Sequence, residues 1–250
     1  MNNIFEESLK TLEGKTAVIT GGTSGIGLST ALNLASLGCK TLVFSRDKDK
    51  VSAALKRVGN PKNIIGASAD VTKYDEVKDV FDQAERELGR IDILINNAAI
   101  PAGNVVDSEY PDWQNAINTM LIGYMSCARE AALRMRTQGK GHIVNVGSLS
   151  AEVFDHNSDI YVAAKSGVRG FTFSLRKKLT KDNIKVSLVE PGLVATNLHT
   201  LTQEEKEKLE TSGNILQPND IARSIIFILT QSWYSDITML QIRPHGQSTL

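Results

Sequence analysis

What most constrains this chain is an alternation. Short apolar, β-branched runs at residues 16–20, 41–44, 64–69, 91–96, 142–146, 185–190 and 237–242 are separated by longer segments of helical period. In residues 72–88, Val77, Phe81, Ala84 and Leu88 fall on one face, and Gly89 follows as a C-terminal cap. In residues 218–231, Pro218 is placed to open a helix whose apolar row is Ile221, Ile225 and Leu229. Strands this apolar, alternating with helices, belong to a parallel sheet covered on both faces. No Pro/Gly/Ser-rich linker, composition break or repeat divides the 250 residues. The expectation is one doubly wound α/β domain over residues 1–250, with a seven-stranded, mainly parallel sheet. The charged stretch 203–210 has few apolar residues and reads as a solvated surface helix.

Composition removes several function classes. The chain has 28 Lys+Arg and 28 Asp+Glu, so it lacks the basic excess that marks nucleic-acid or acidic-membrane binding. No run approaches the ~18–20 apolar residues of a membrane span, and residues 1–7 lack the pattern of a signal peptide. Cys39 and Cys127 have neither disulfide-framework nor metal-ligand spacing. A reduced, cytoplasmic protein with no metal, no nucleic acid and no membrane partner is expected. His142, His156, His199 and His245 are scattered, with no triad spacing; His156 and His199 fall in loops near the expected site.

The first strand runs into Thr20-Gly21-Gly22-Thr23-Ser24-Gly25-Ile26-Gly27, and a helical pattern follows. Glycines at 21, 25 and 27 would bring backbone amides against a pyrophosphate at a helix N-terminus. Tight strand-to-helix turns use glycine anyway, so the strand–turn–helix context is what favours cofactor binding.

That spacing, Thr-Gly-x-x-x-Gly-x-Gly, resembles the short-chain dehydrogenase/reductase family, and further matches come in order along the chain. Asp70-Val71 closes the third strand, where the family contacts adenine. Asn96-Asn97-Ala98-Ala99 closes the fourth, and Ser148 follows the fifth. Tyr161-Val162-Ala163-Ala164-Lys165 gives Tyr-x-x-x-Lys, and Pro191-Gly192 follows the sixth strand. The resemblance runs from Lys15 onward and implies a Rossmann-type domain. It also implies cofactor contacts at Gly21, Thr23, Ser24, Gly25, Ile26, Gly27, Asn97, Ala98, Tyr161, Lys165, Pro191 and Gly192. Val194 and Thr196 match positions that touch the nicotinamide carboxamide.

The Tyr/Lys pair also makes chemical sense by itself. Four residues apart on a helix, Tyr161 and Lys165 project from one face. A nearby ammonium lowers the pKa of a phenol, ordinarily about 10, toward the working range. In carbonyl reduction Tyr161 would supply the proton, and Ser148 would stabilise the developing alkoxide. At the end of the second strand, Ser45 stands at the family's acidic, NAD-type position and Arg46 follows it. A guanidinium and a hydroxyl suit a 2′-phosphate, so NADP(H) is expected; Asp47 lies two positions too late for the acidic role.

Two departures stand out. Met120 occupies the position where the family places an Asn that helps hold a relay water behind the Lys, while Asn118 lies two residues round the helix. The carboxy end, with Ile242-Arg243-Pro244, resembles the branch of bacterial NADP-dependent 3-hydroxy acid dehydrogenases and clavulanate-type aldehyde reductases. The sequence reading is therefore an NADP(H)-dependent oxidoreductase acting on a small carbonyl or alcohol. The rival reading is a catalytically impaired nucleotide-binding sensor of the same fold; keeping Ser148, Tyr161 and Lys165 argues against it. A sugar epimerase or dehydratase is discounted, because its Gly-x-x-Gly-x-x-Gly spacing is absent. Phe154, Asp155 and residues 193–201 are expected to wall the pocket, and residues 193–213 to form a lid. The resemblance implies a homotetramer or homodimer built on long helices over residues 113–136 and 161–181.

Overall fold

The structure, a computed structural model, describes residues 4–59, 61–154, 156, 158–198 and 202–246. Seven strands form one sheet: β1 (Thr16–Thr20), β2 (Lys40–Ser45), β3 (Ile64–Ser68), β4 (Ile93–Asn96), β5 (Gly141–Val146), β6 (Ile184–Pro191) and β7 (Met239–Ile242). Their order is β3-β2-β1-β4-β5-β6-β7, and every pairing is parallel. Every β-branched run read from the sequence matches a strand, and no end differs by more than two residues.

The sheet is buried because both faces carry apolar side chains. Along β1, Val18 packs with the cluster on one face, while Ala17 and Ile19 pack with the cluster on the other. The first cluster takes Val77, Phe81 and Ala84 from α4 (Tyr74–Leu88), which ends at Gly89 in the left-handed conformation as expected. It also takes Cys127, Ala128 and Ala131 from α6 (Gly123–Gln138). The opposite cluster takes Ala31 and Leu34 from α2 (Gly25–Ser36), and Ile221 and Ile225 from α10 (Pro218–Leu229). The remaining helices are α1 (Ile4–Lys10), α3 (Lys48–Arg57), α5 (Tyr110–Ile117), α7 (Ser150–Val153), α8 (Asp159–Leu179) and α9 (Gln203–Thr211). None of the residues of α9 is buried, as its charge pattern implied.

One element refines the sequence reading. Residues 113–136 are helical throughout, as expected, but not of uniform pitch: α5 runs into α6 without a break through a π-helical turn, Asn118–Ile122. Such π turns occur mostly as single-turn bulges within α-helices. Ala116 and Met120 pack against Ile160 and Ala164 of α8, while Tyr124, one turn on, joins Val168 and Leu188.

A buried polar chain holds the carboxyl ends of the central strands in register. Asn96 Nδ2 donates to Asn145 Oδ1 (2.9 Å) and to the Tyr124 carbonyl (3.1 Å), and Asn145 Nδ2 donates to Thr172 Oγ1 (2.9 Å). Both Nδ2 groups are taken up by neighbouring elements, so the chain ties β4 and β5 to α6 and α8, while Asn96 Oδ1 is buried without a partner.

Candidate active site

Between β1 and β4 the winding reverses direction, and in open α/β sheets ligands bind at the carboxyl ends beside such a point. A cavity of about 1020 Å³ lies there, lined by residues from the glycine loop at one side to Tyr161 and Lys165 at the other.

The glycine loop is shaped by contacts that exclude side chains. Gly21 has φ +65°, which favours glycine. At Gly27 a Cβ would lie 2.4 Å from the Gly21 carbonyl oxygen and 2.6 Å from Asn97 Nδ2, so the turn closes only without one. Asn97 Nδ2 donates to the Thr20 and Gly21 carbonyls (3.0 and 3.2 Å), and Thr20 Oγ1 accepts from the amides of Asn97 and Ala98 (2.9 and 2.8 Å). These bonds lock the loop onto the end of β4. Ser24, the N-cap of α2, makes no side-chain bond to the first turn, and Ser24, Gly25 and Ile26 line the cavity. The helix terminus therefore presents its positive end to a ligand.

Most of the expected cofactor positions meet at this cavity: Gly21, Thr23, Ser24, Gly25, Ile26, Ser45, Arg46, Val71, Asn97, Ala98, Tyr161, Lys165, Pro191, Gly192, Val194 and Thr196 all line it. Gly27 lies behind the wall, where it permits the turn. Asp70 is not among the lining residues; its Oδ1 accepts from the Thr72 amide and hydroxyl (2.9 and 2.8 Å). Phe154 also departs from expectation: it is 67% exposed and does not line the cavity. A left-handed backbone (φ +56°) ends α7 there, so the chain leaves the wall at Val153. Asp155 and His199 lie outside the described residues, and His156 is exposed. Of the segment after Gly192, Leu193, Val194, Thr196, Asn197 and Leu198 contribute to the wall.

Two lining cations escaped the sequence reading, Lys50 and Arg57. With Ala53 and Ala54 they form the cavity-facing side of α3, and the spacing 50, 53, 54, 57 is the signal that would have found them. Arg57 Nη2 donates to the Thr23 carbonyl at 3.4 Å, so it reaches across to the glycine loop. Asp47 lines the same end, but its carboxylate caps α3 by accepting from the amides of Asp49 and Lys50 (both 3.0 Å).

At the other end stand Ser148, Tyr161 and Lys165. Ser148 Oγ donates to Ser150 Oγ at 3.0 Å and accepts from the Ser150 amide at 3.1 Å. Tyr161 is half-buried, and desolvation pushes its pKa up to about 12, against the opposing effect of the Ser148 hydroxyl. Lys165 is fully buried; Nζ donates to the Val146 carbonyl (2.9 Å) and sits 5.4 and 5.6 Å from the ring centres of Tyr124 and Tyr161. Burial lowers its pKa to about 7, with the Glu190 carboxylate acting in the other direction. Met120 is packed in the apolar cluster beside Tyr161, and the neighbouring Thr119 lines the cavity. The Thr119 hydroxyl is buried without a partner.

A glycine cradle at a helix terminus, cations at one end and a phenol–ammonium pair at the other together fit an anionic dinucleotide with a reacting group beside Tyr161. Comparison with known proteins agrees. Residues 15–207 match the family model described as short chain dehydrogenase. The chain is 32% identical over 235 residues to an uncharacterized oxidoreductase of Staphylococcus aureus (strain MRSA252), covering 93% of this chain and 98% of that one. Two uncharacterized oxidoreductases of Staphylococcus saprophyticus are similar at 30% and 32% identity, covering 93% and 96% of this chain and 98% and 100% of their own lengths.

Proposed function

Because the chain belongs to the short-chain dehydrogenase family, whose members bind a nicotinamide cofactor, we propose that it is an NADP(H)-dependent oxidoreductase interconverting a carbonyl and an alcohol. The observation that carries this reading is the convergence of Ser148, Tyr161 and Lys165 on the cavity that also holds the glycine loop.

When bound, the nicotinamide supplies the hydride for reduction or accepts it in oxidation. The chain's own groups handle the proton and the oxygen. Tyr161, a phenol and so protonated at neutral pH, can donate a proton to a nascent alkoxide; burial raises its pKa, against the lowering expected from Lys165. In oxidation it must first lose that proton, and the ammonium of Lys165, within cation–π reach, favours the phenolate. The Ser150 amide holds Ser148 Oγ in place, and the hydroxyl proton, given to Ser150 Oγ here, turns to the substrate oxygen when it stabilises the alkoxide.

Arg46, Lys50 and Arg57 support the choice of NADP(H). Three cations gather at the end where β2 terminates, Ser45 adds a hydroxyl, and the nearby carboxylate of Asp47 is engaged as a helix cap. The reacting end is walled by Ile100, Pro101, Val153, Leu193 and Leu198, which favours a carbonyl compound with apolar substituents. In keeping with the carboxy-end resemblance, 3-hydroxy acids and aldehydes are the first substrates to try. Residues 193–213 are proposed as the lid, and homo-oligomerisation through α6 and α8 follows from the family resemblance. Among the described residues no helix is long and apolar enough to cross a membrane.

The test is turnover. Aldehydes, ketones and keto acids should consume NADPH in preference to NADH, read as loss of reduced-nicotinamide absorbance. Tyr161→Phe should bind coenzyme nearly as well and lose at least ~10²-fold in kcat. A Tyr161→Phe variant with the parent's kcat would remove Tyr161 from the reaction.

A further inference from the structure

Behind Lys165 lies a second charged pair that the proposed reaction does not use directly. Tyr161, Lys165 and Arg169 follow at four-residue intervals on α8 and so form one row. Opposite the end of that row, the last residue of β6 before Pro191-Gly192 is Glu190, a fully buried carboxylate. Arg169 grips it with two prongs, Nε to Oε1 at 2.8 Å and Nη2 to Oε2 at 2.6 Å, and Gln241 of β7 adds a bond to Oε2 at 3.0 Å. The carboxylate lies flush against Gly147. A Cβ there would meet Glu190 Cγ at 3.0 Å and Oε1 at 3.3 Å. Gly147 separates Val146, whose carbonyl holds the Lys165 ammonium, from Ser148.

We propose that Glu190 is a positioning residue for the reaction assigned above, the buried counter-charge that keeps Lys165 cationic, with Arg169 fixing its carboxylate and moderating its strength. The proposal rests on the reading of Tyr161 and Lys165 as the reacting pair.

The surroundings of Lys165 single out Glu190. From α8 it faces Tyr161 and lies one turn from Arg169. From α6 comes Tyr124, kept neutral by burial. From the end of β5 come the Val146 carbonyl and the neutral hydroxyl of Ser148. From β6 comes Glu190, and beyond it Gln241 is neutral. Glu152 and Arg243 lie further out: Glu152 is exposed and shares Arg169 Nη2 at 3.2 Å, and Arg243 acts on Glu152. Glu190 is the carboxylate that acts on Lys165, and it opposes the burial that would discharge the amine. A purely structural clamp is a poor account, since a buried ion pair gains little net stability over an apolar contact of similar shape.

The test reads the charge of Lys165 without substrate or coenzyme. Protein labelled with ¹³C at lysine Cε is titrated by NMR, and the Lys165 resonance is assigned by its loss in Lys165→Met. Glu190→Gln should move the Lys165 midpoint down by about one pH unit or more, because a counter-charge is lost and Arg169 is left unopposed. Arg169→Gln should move it up, because Glu190 then acts unmoderated. The double variant should fall between the two. Opposite displacements would establish the proposal, whereas midpoints equal to the parent's in Glu190→Gln would overturn it. If Glu190→Gln fails to fold, Arg169→Gln decides, and an unmoved or lowered midpoint there refutes it. Turnover of Tyr161→Phe is measured separately. Its survival would overturn the reaction assignment, whatever the Lys165 titration shows.

Discussion

Lowering the pH should weaken this fold through one histidine. His142 sits on β5, buried, with Nε2 2.9 Å from Ser187 Oγ on β6. Burial, and after it the ammonium of Lys185 on the neighbouring strand, push its pKa from 6.5 down to about 3, with Asp236 opposing. The folded state therefore keeps a neutral ring where the unfolded chain takes up a proton. Its contribution is complete above pH 6.5 and is lost as the pH falls from there toward 3. Each pH unit in that window costs about 1.4 kcal/mol, so the step from about pH 6.5 to about pH 5 removes ~2 kcal/mol. That is a sizeable share of the ~5–15 kcal/mol by which domains are stable. His142→Gln keeps a polar partner for Ser187 but does not titrate. Urea unfolding of both proteins at neutral pH and near pH 5 should show the parent losing ~2 kcal/mol more than the variant. Other titrating groups cancel in that difference. An equal loss in the two proteins would mean that His142 is not the group responsible.

Three further outcomes are expected. Arg46→Ala should weaken NADPH binding by about 1.5–3 kcal/mol and leave NADH nearly unchanged, as coenzyme fluorescence would report; a parent that prefers NADH would end this assignment. Met120→Asn should lower the urea midpoint by the equivalent of about 2–4 kcal/mol, since an amide would replace a fully buried thioether among Ala116, Ile160 and Ala164. Parent-like stability would show that the amide finds partners there. In hydrogen exchange on the protein alone, α9, which buries nothing, should exchange far faster than β1 and β5, and protection equal to theirs would contradict the proposed lid.

The strands and the glycine turn were legible because local chemistry decides them. β-branched runs buried on both faces leave no polar side to hide, and the turn at Gly21 and Gly27 needs residues without Cβ. The Tyr161–Lys165 spacing was legible for the same reason, since one helix fixes it. What the sequence did not disclose depends on partners distant in the chain. The π turn at Asn118–Ile122 lies where the helix packs on α8, Met120 with Ile160 and Ala164 and Tyr124 with Val168. Lys50 and Arg57 look like ordinary surface charges until α3 is laid beside the glycine loop. Glu190 is an acid in an apolar strand that makes sense only against Arg169, 21 residues earlier. Asp70 stands just past the end of β3, and its carboxylate accepts from Thr72, two residues on, a local bond that the strand-end motif does not announce.

Because β1 lies inside the sheet, with β2 on one side and β4 on the other, the chain is wound outward twice, first to β3 and then, after crossing to β4, to β7. The cavity straddles the seam, and a break in the connection after β4 would divide its groups between two pieces. The glycine loop, Arg46 and Asn97 would stay on the first, and Ser148, Tyr161 and Lys165 on the second. Neither piece would carry a whole site, and the Asn96–Asn145 bond would span the cut interface. Turnover in such a pair would be a reporter of reassembly, silent until β5 docks on β4 in its native register.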